Sequence, residues 1–88
     1  MVRRSWPRWW DWEIELSPHL IKRMLDRRFS EVELRSMMER ALKCRPDIVE
    51  GRWIIVTNHR RLVWEVIVEP DPHAHRLVIV TAYPLEEN

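Results

Sequence analysis

The chain has 88 residues, 45% of them apolar and 33% charged, with a formal net charge of +1, one cysteine and one glycine. That length allows one domain with a modest core, and the near-neutral balance excludes both a disordered polyelectrolyte and a global field that would draw nucleic acid. A single cysteine excludes an internal disulfide framework and suits a reducing cytoplasm, and no run reaches the roughly 20 apolar residues of a membrane span.

Met1-Val2-Arg3-Arg4 starts like the charged segment of a signal peptide. Trp-rich, charged sequence follows where the apolar segment should stand, so a cytoplasmic protein with no membrane contact is expected. Residues 1 to 28 hold seven Lys/Arg against four Asp/Glu, so the basic end coincides with the tryptophan cluster at positions 6, 9, 10 and 12. Residues 1 to 8 read as a flexible basic arm and 9 to 88 as a single domain. From Trp10 to Leu16 apolar and acidic residues alternate, the period of a half-buried strand.

Ser17-Pro18 is a helix start, with serine as N-cap and proline where its missing N–H costs nothing. The helix runs to about Arg28, with Leu20, Ile21, Met24 and Leu25 as its apolar stripe. Ser30 and Glu33 form a capping box, Phe29 and Leu34 a hydrophobic staple, and the helix they open is expected to end near Cys44 because Pro46 disfavours a helical Arg45.

Gly51 marks a turn. The segments from Arg52 to Asn58 and from Arg61 to Glu69 then form a hairpin whose predicted pairing sets Trp53 opposite Val66. Parity sorts Trp53, Ile55 and Thr57 with Leu62, Trp64 and Val66. Ile54 and Val56 fall on the other face with Arg61, Val63, Glu65 and Ile67, and a two-residue slip would preserve that sorting. Arg76 to Tyr83 forms the last strand. The expected fold is α+β, with two helices packed on one face of an antiparallel sheet of three to four strands. The second face is left for a ligand or partner.

Several residues can carry chemistry. His19 sits at a helix start, where the positive dipole end leaves the imidazole able to take a proton, for instance from a ribose hydroxyl. Arg23, Arg27, Arg60 and Arg61 offer planar donors for a phosphate, or else form a solvated face. Glu65, inside a strand, needs a partner, and Arg61 or Arg52 could supply it; a structural ion pair and a substrate-binding role are both open. Thr81 and Tyr83 point the same way and could hold a phosphate and a base, or serve as ordinary strand and core residues. They join Arg61 and Glu65 only if paired residue numbers on the last two strands sum to an even total. His73 and His75 lie in a Pro-rich loop that can be read as a metal site or simply as a loop. The Trp/Arg segment can stack on nucleic acid, or can cover the core or a dimer contact.

The stretches Ser17-Pro18-His19 through Asp26-Arg27-Arg28, then Gly51-Arg52-Trp53, then Val78 through Pro84 carry a resemblance. Together they make the chain similar to a family of small bacterial domains grouped with RelE-like and BrnT-like toxins, of the barnase–EndoU–colicin–RelE fold. The resemblance implies a metal-independent endoribonuclease without a cofactor, with His19, Arg61, Thr81 and Tyr83 as catalytic residues. Arg23, Arg27, Arg60 and Glu65 would bind substrate. RNA, an antitoxin-like protein and, for so small a core, a second copy of the chain are the expected partners. The alternative function is a non-catalytic interaction module that uses the Trp-rich segment or the open sheet face.

Overall fold

The computed structural model describes residues 6–85; the first five residues of the expected arm and the last three of the acidic tail lie outside the described residues. The fold is α+β. A 3-10 helix (Arg8–Asp11) precedes strand β1 (Glu13–Leu16), helices α1 (Pro18–Arg27) and α2 (Glu31–Glu39), and strands β2 (Lys43–Pro46), β3 (Trp53–His59), β4 (Leu62–Asp71) and β5 (Arg76–Pro84). The sheet has five strands in the order β1-β5-β4-β3-β2. It is therefore wider than the expected three to four strands, and it is mixed, because β1 pairs parallel to β5 at one edge.

Local chemistry sets both helix starts. Ser17 Oγ accepts from the Leu20 N–H at 3.0 Å and donates to the Val80 carbonyl at 2.8 Å, tying the start of α1 to β5. In α2 the capping box closes with Glu33 N–H on Ser30 Oγ at 3.1 Å and Ser30 N–H on Glu33 Oε1 at 3.0 Å. The second helix ends five residues before the predicted point. The Leu42 N–H donates to the Val56 carbonyl at 2.8 Å, and Lys43–Pro46 continues as an edge strand along β3. Sheet pairing overrides the helical spacing of Ala41 and Leu42, and Pro46 is tolerated because it sits on an edge strand. Thr57, buried on β3, donates its hydroxyl to the Met37 carbonyl in the last turn of α2, a group the helix itself leaves unpaired.

The β3–β4 pairing sets Trp53 opposite Val68, two residues from the predicted register, so the predicted faces stand. One face packs under the helices: Leu20, Phe29, Leu34 and Met37 meet Ile55, Trp64, Val66 and Ile79 in a single core. Each fully buried Leu or Ile contributes roughly 1.5–3 kcal/mol. Trp9 also joins this core, 5.5 Å from Trp53 between ring centroids, so the segment expected to open as a strand first makes a 3-10 turn. Trp6 lies 4.4 Å from Trp10.

The β4–β5 ladder slips between Ile67 and Val68, which leaves Val80 without a partner and makes a bulge. Leu77 and Ile79 before it and Ala82 after it all face the helices, while Thr81 and Tyr83 turn to the other side. In a regular strand that sorting is impossible, because parity would separate Ile79 from Ala82.

Left-handed backbone marks two of the turns. Gly51, at φ +86, has no atom within 4 Å of where a Cβ would stand, so its conformation alone explains the glycine. The β3–β4 connection is a two-residue turn with Arg60 at φ 51 and Arg61 at φ 67, the pattern of a type I′ turn built from residues that disfavour it. Arg61→Gly is accordingly expected to stabilise the fold by about 0.5–1 kcal/mol, raising Tm by a few degrees in a thermal melt. A lower Tm would contradict the assigned turn. Among the described residues no helix is long and apolar enough to cross a membrane.

Candidate functional site

The sheet face opposite the helices carries two rows of side chains fixed by register. Arg45, Ile54, Ile67 and Thr81 lie in one row across β2, β3, β4 and β5; Lys43, Val56, Glu65 and Tyr83 lie in the next. Ile54 and Ile67 are only 8% and 6% exposed although no helix covers them, so they form an apolar floor between Arg45 and Thr81.

Glu65 is the centre of this face. Its side chain is 12% exposed, and each oxygen has one donor: Tyr83 Oη on Oε1 at 2.8 Å and Arg45 Nη2 on Oε2 at 2.9 Å. Both are hydrogen bonds to a charged acceptor, the strong kind. Burial, then the bond to Glu65 and the nearby carboxylates of Glu65 and Asp47, push the Tyr83 hydroxyl up to about 12 against a partial offset from Arg45. The phenol therefore stays protonated at neutral pH and is a standing donor to the carboxylate. A carboxylate beside a phenol and a guanidinium, over an apolar floor, can accept a proton, return one and hold an anion.

The residues singled out in the sequence do not gather at one point. Thr81 and Tyr83 share the Glu65 face, paired with Ile67 and Glu65, which is the even register. Arg61 stands at the hairpin turn, four residues from Glu65 or about 13 Å along the strand, beside a depression it lines with Leu62, Val63 and Leu85. His19 is exposed in the first turn of α1, in the helical layer. Arg23 is ion-paired with Asp26 at 3.1 Å, and Arg27 is half-buried in the last turn of α1. Arg60 is committed to structure: its Nη2 donates to the Arg28 carbonyl at 2.7 Å and to Glu33 Oε2 at 3.1 Å, joining the end of α1, the start of α2 and the hairpin.

Behind Arg60 lies His59, 6% exposed and packed edge-on against Phe29 and Trp64. Its Nε2 is 3.3 Å from Glu33 Oε2 without the alignment of a hydrogen bond. Burial first, then the Arg60 and Arg40 cations, hold the imidazole below its ordinary value of 6.5, against a smaller opposing pull from Glu33. As pH falls, the unfolded chain therefore binds the proton first. Stability is therefore full above about pH 6.5 and is lost as pH falls below it, through the lower value of the folded protein. Urea midpoints are expected to fall between pH 7.5 and 5.5, with a smaller fall in His59→Phe; equal slopes in the two proteins would contradict it.

Sequence reasoning missed Arg45. It expected Arg61 or Arg52 beside Glu65, but Arg52 pairs with Glu69 at 3.1 Å and Arg61 is at the turn. The helical spacing that reaches Leu42 places Arg45 just past a helix end, whereas the extended bias of a residue before proline is the signal for a strand there. Cys44, half-buried, has its thiol pushed up to about 11 by burial and is unreactive at neutral pH. In the loop after β4, His75 stacks on Trp12 at 4.2 Å, and Asp71 Oδ1 accepts the His73 and Ala74 N–H groups. Among the described residues no group of three or more His, Cys, Asp or Glu can hold a metal ion. A scan against protein-family models and searches of curated proteins and of solved structures each return no match for this chain.

Proposed function

We propose that this protein is a RelE-like relative that acts on RNA as a metal-independent endoribonuclease, with its reacting centre at Glu65 on the uncovered sheet face. The observation that carries the reading is the Glu65 carboxylate held between Arg45 and Tyr83. Helices layered on one side of a sheet, with the other side open, support the family assignment by analogy of fold.

In this reading Glu65 takes the 2′-hydroxyl proton as that oxygen attacks the neighbouring phosphorus. The bond from phosphorus to the 5′ oxygen breaks, and that oxygen takes its proton from Tyr83, leaving a 2′,3′-cyclic phosphate. The proton on Glu65 then passes to Tyr83 along their 2.8 Å hydrogen bond, so both groups return to their starting state. Arg45 neutralises the charge that builds on the phosphate, and Thr81 stands in the adjoining row to orient it. Arg61, with Arg28 nearby at the hairpin end, binds flanking phosphates. The geometry favours Glu65 over His19 as the base, because Glu65 has positioned partners and shares a face with Tyr83 and Thr81. Cleavage of a single-stranded RNA in EDTA tests the reading: wild type is expected to cut, and Tyr83→Phe to be slower by about tenfold or more. Equal rates in the two proteins would exclude the proton relay.

A second reading, a non-catalytic module that binds an antitoxin-like chain or a second copy, is favoured by one observation. Ile21 and Leu25, one turn apart on α1, are 49% and 78% exposed, and Val32 at the start of α2 is 74% exposed. No cleavage by any preparation, together with a stable dimer by light scattering that Leu25→Glu dissociates, would select this reading.

A further inference from the structure

The uncovered sheet face changes character along β4. Beyond Thr81 its cations are committed: Arg52 pairs with Glu69 at 3.1 Å, and Arg76 stands 4.0 Å from both Glu13 and Glu15. Toward the β3–β4 turn the face is apolar instead. Val63, two residues from Glu65 and on the same side of the strand, lines a depression of about 280 Å³ with Arg61, Leu62 and Leu85. The Leu85 N–H donates to the Val63 carbonyl at 2.9 Å, which holds Leu85 beside it. Leu62, Val63 and Leu85 are 38%, 43% and 51% exposed, so adjoining apolar side chains are left to solvent. The lining holds no carboxylate, and Arg61 at the rim is exposed, with no ion pair among the described residues.

We propose that this depression receives the base of the nucleotide whose 5′ oxygen leaves in RNA cleavage, with Arg61 on the phosphate beyond that base; this rests on the ribonuclease reading. Tyr83, the donor to the leaving oxygen, lies two residues before Leu85, whereas Arg45 reaches Glu65 from the opposite side, so the leaving nucleotide emerges toward Leu85. Glu65 and Val63 are about 7 Å apart along the strand, the reach of one nucleotide of an unstacked chain. The apolar side chains offer a surface to a ring face, and the guanidinium offers paired donors to a phosphate. The hollow is smaller than the roughly 300–1,000 Å³ of a pocket for a whole small molecule, which suits a single base. A partner protein's apolar side chain would fill it without using Arg61.

The test uses DNA oligonucleotides with one ribose, in EDTA, in which the next nucleotide 3′ of the ribose either carries adenine or lacks a base. Wild type is expected to cut the adenine substrate about tenfold faster, within the worth of one bound base. Removing the base one position further along should leave the rate unchanged. Val63→Ala with Leu85→Ala, both at exposed positions, should shrink the ratio several-fold. Binding is read apart from cutting through the Val63 and Leu85 methyl signals in a proton–carbon NMR spectrum. The probe is deoxyuridylyl-deoxyadenosine 3′-phosphate, which has no 2′-hydroxyl, and the control is the same compound without adenine. Saturable shifts with the probe alone are expected, several-fold weaker in Arg61→Gln. Glu86→Gln with Glu87→Gln is titrated in parallel so that the acidic residues after Leu85 do not oppose the phosphate. Equal cutting of the adenine and base-free substrates overturns the proposal and leaves the ribonuclease reading standing, as does base-dependent cutting without shifts at Val63 and Leu85. Probe shifts without cutting support the base site and overturn the ribonuclease reading alone. Neither shifts nor cutting overturns both, and shifts that follow protein concentration without the probe make a second copy the occupant and overturn the base site.

Discussion

Glu65→Gln is expected to slow RNA cleavage by about 10²- to 10⁴-fold, the usual worth of a positioned general base. The amide keeps the size of the carboxylate and can still accept from Tyr83 or Arg45, but it cannot take the 2′-hydroxyl proton. Stability should change little by comparison. Arg45 is 53% exposed, and ion pairs reached by an exposed partner contribute about 1 kcal/mol or less. A large loss of rate with a Tm within a few degrees of wild type separates a chemical role from a structural one. Parallel losses of rate and fold would make Glu65 a structural ion-pair residue.

Trp64→Ala is expected to destabilise the protein by about 3–5 kcal/mol. Trp64 is 4% exposed on the central strand β4, with Thr57 opposite on β3 and Pro84 opposite on β5. Its ring meets Phe29 and His59 edge-to-face, each at 5.4 Å, where the end of α1 and the start of α2 come down on the sheet. Truncation would open a cavity at that junction. For a domain of this size the loss is comparable with the whole stability of folding, at roughly 0.05–0.15 kcal/mol per residue. Trp64→Phe should be far milder, about 1 kcal/mol, because the indole N–H is buried without a hydrogen-bond partner among the described residues and removing it relieves part of the lost contact. Urea unfolding of the two variants checks the contrast. An alanine variant within about 1 kcal/mol of wild type would mean that Trp64 is not central to the core.

What the sequence reveals here is what is local. The capping box at Ser30 and Glu33 and the Ser17-Pro18 start depend on residues three or four apart, so they are legible directly. The faces of β3 and β4 follow from a period of two, and a register error of two residues leaves them intact. Three features depend on distant segments and are not legible in that way. The extended state of Lys43–Pro46 is decided by pairing with β3, against a helical pattern in Ala41 and Leu42. The parallel pairing of β1 with β5 joins residues more than sixty positions apart. The bulge at Val80 has no glycine or proline to announce it, yet it puts Thr81 and Tyr83 on the Glu65 face. The candidate site is therefore only partly legible: alternation puts Thr81 and Tyr83 on one face of β5, but the bulge decides that it is the Glu65 face, and Arg45 is hidden because its strand continues a helical pattern. His19 and Arg61 stand apart because α1 belongs to the helical layer and the hairpin turn lies well along the strand from Glu65.

The most direct measurement uses a DNA oligonucleotide carrying one ribose, incubated with wild type and with Glu65→Gln in EDTA. The proposed relay predicts a single cut 3′ of the ribose by wild type, a 2′,3′-cyclic phosphate end, and no detectable product from the Glu65→Gln variant over the same time. An uncut ribose substrate with wild type, or equal cutting by both proteins, would contradict it.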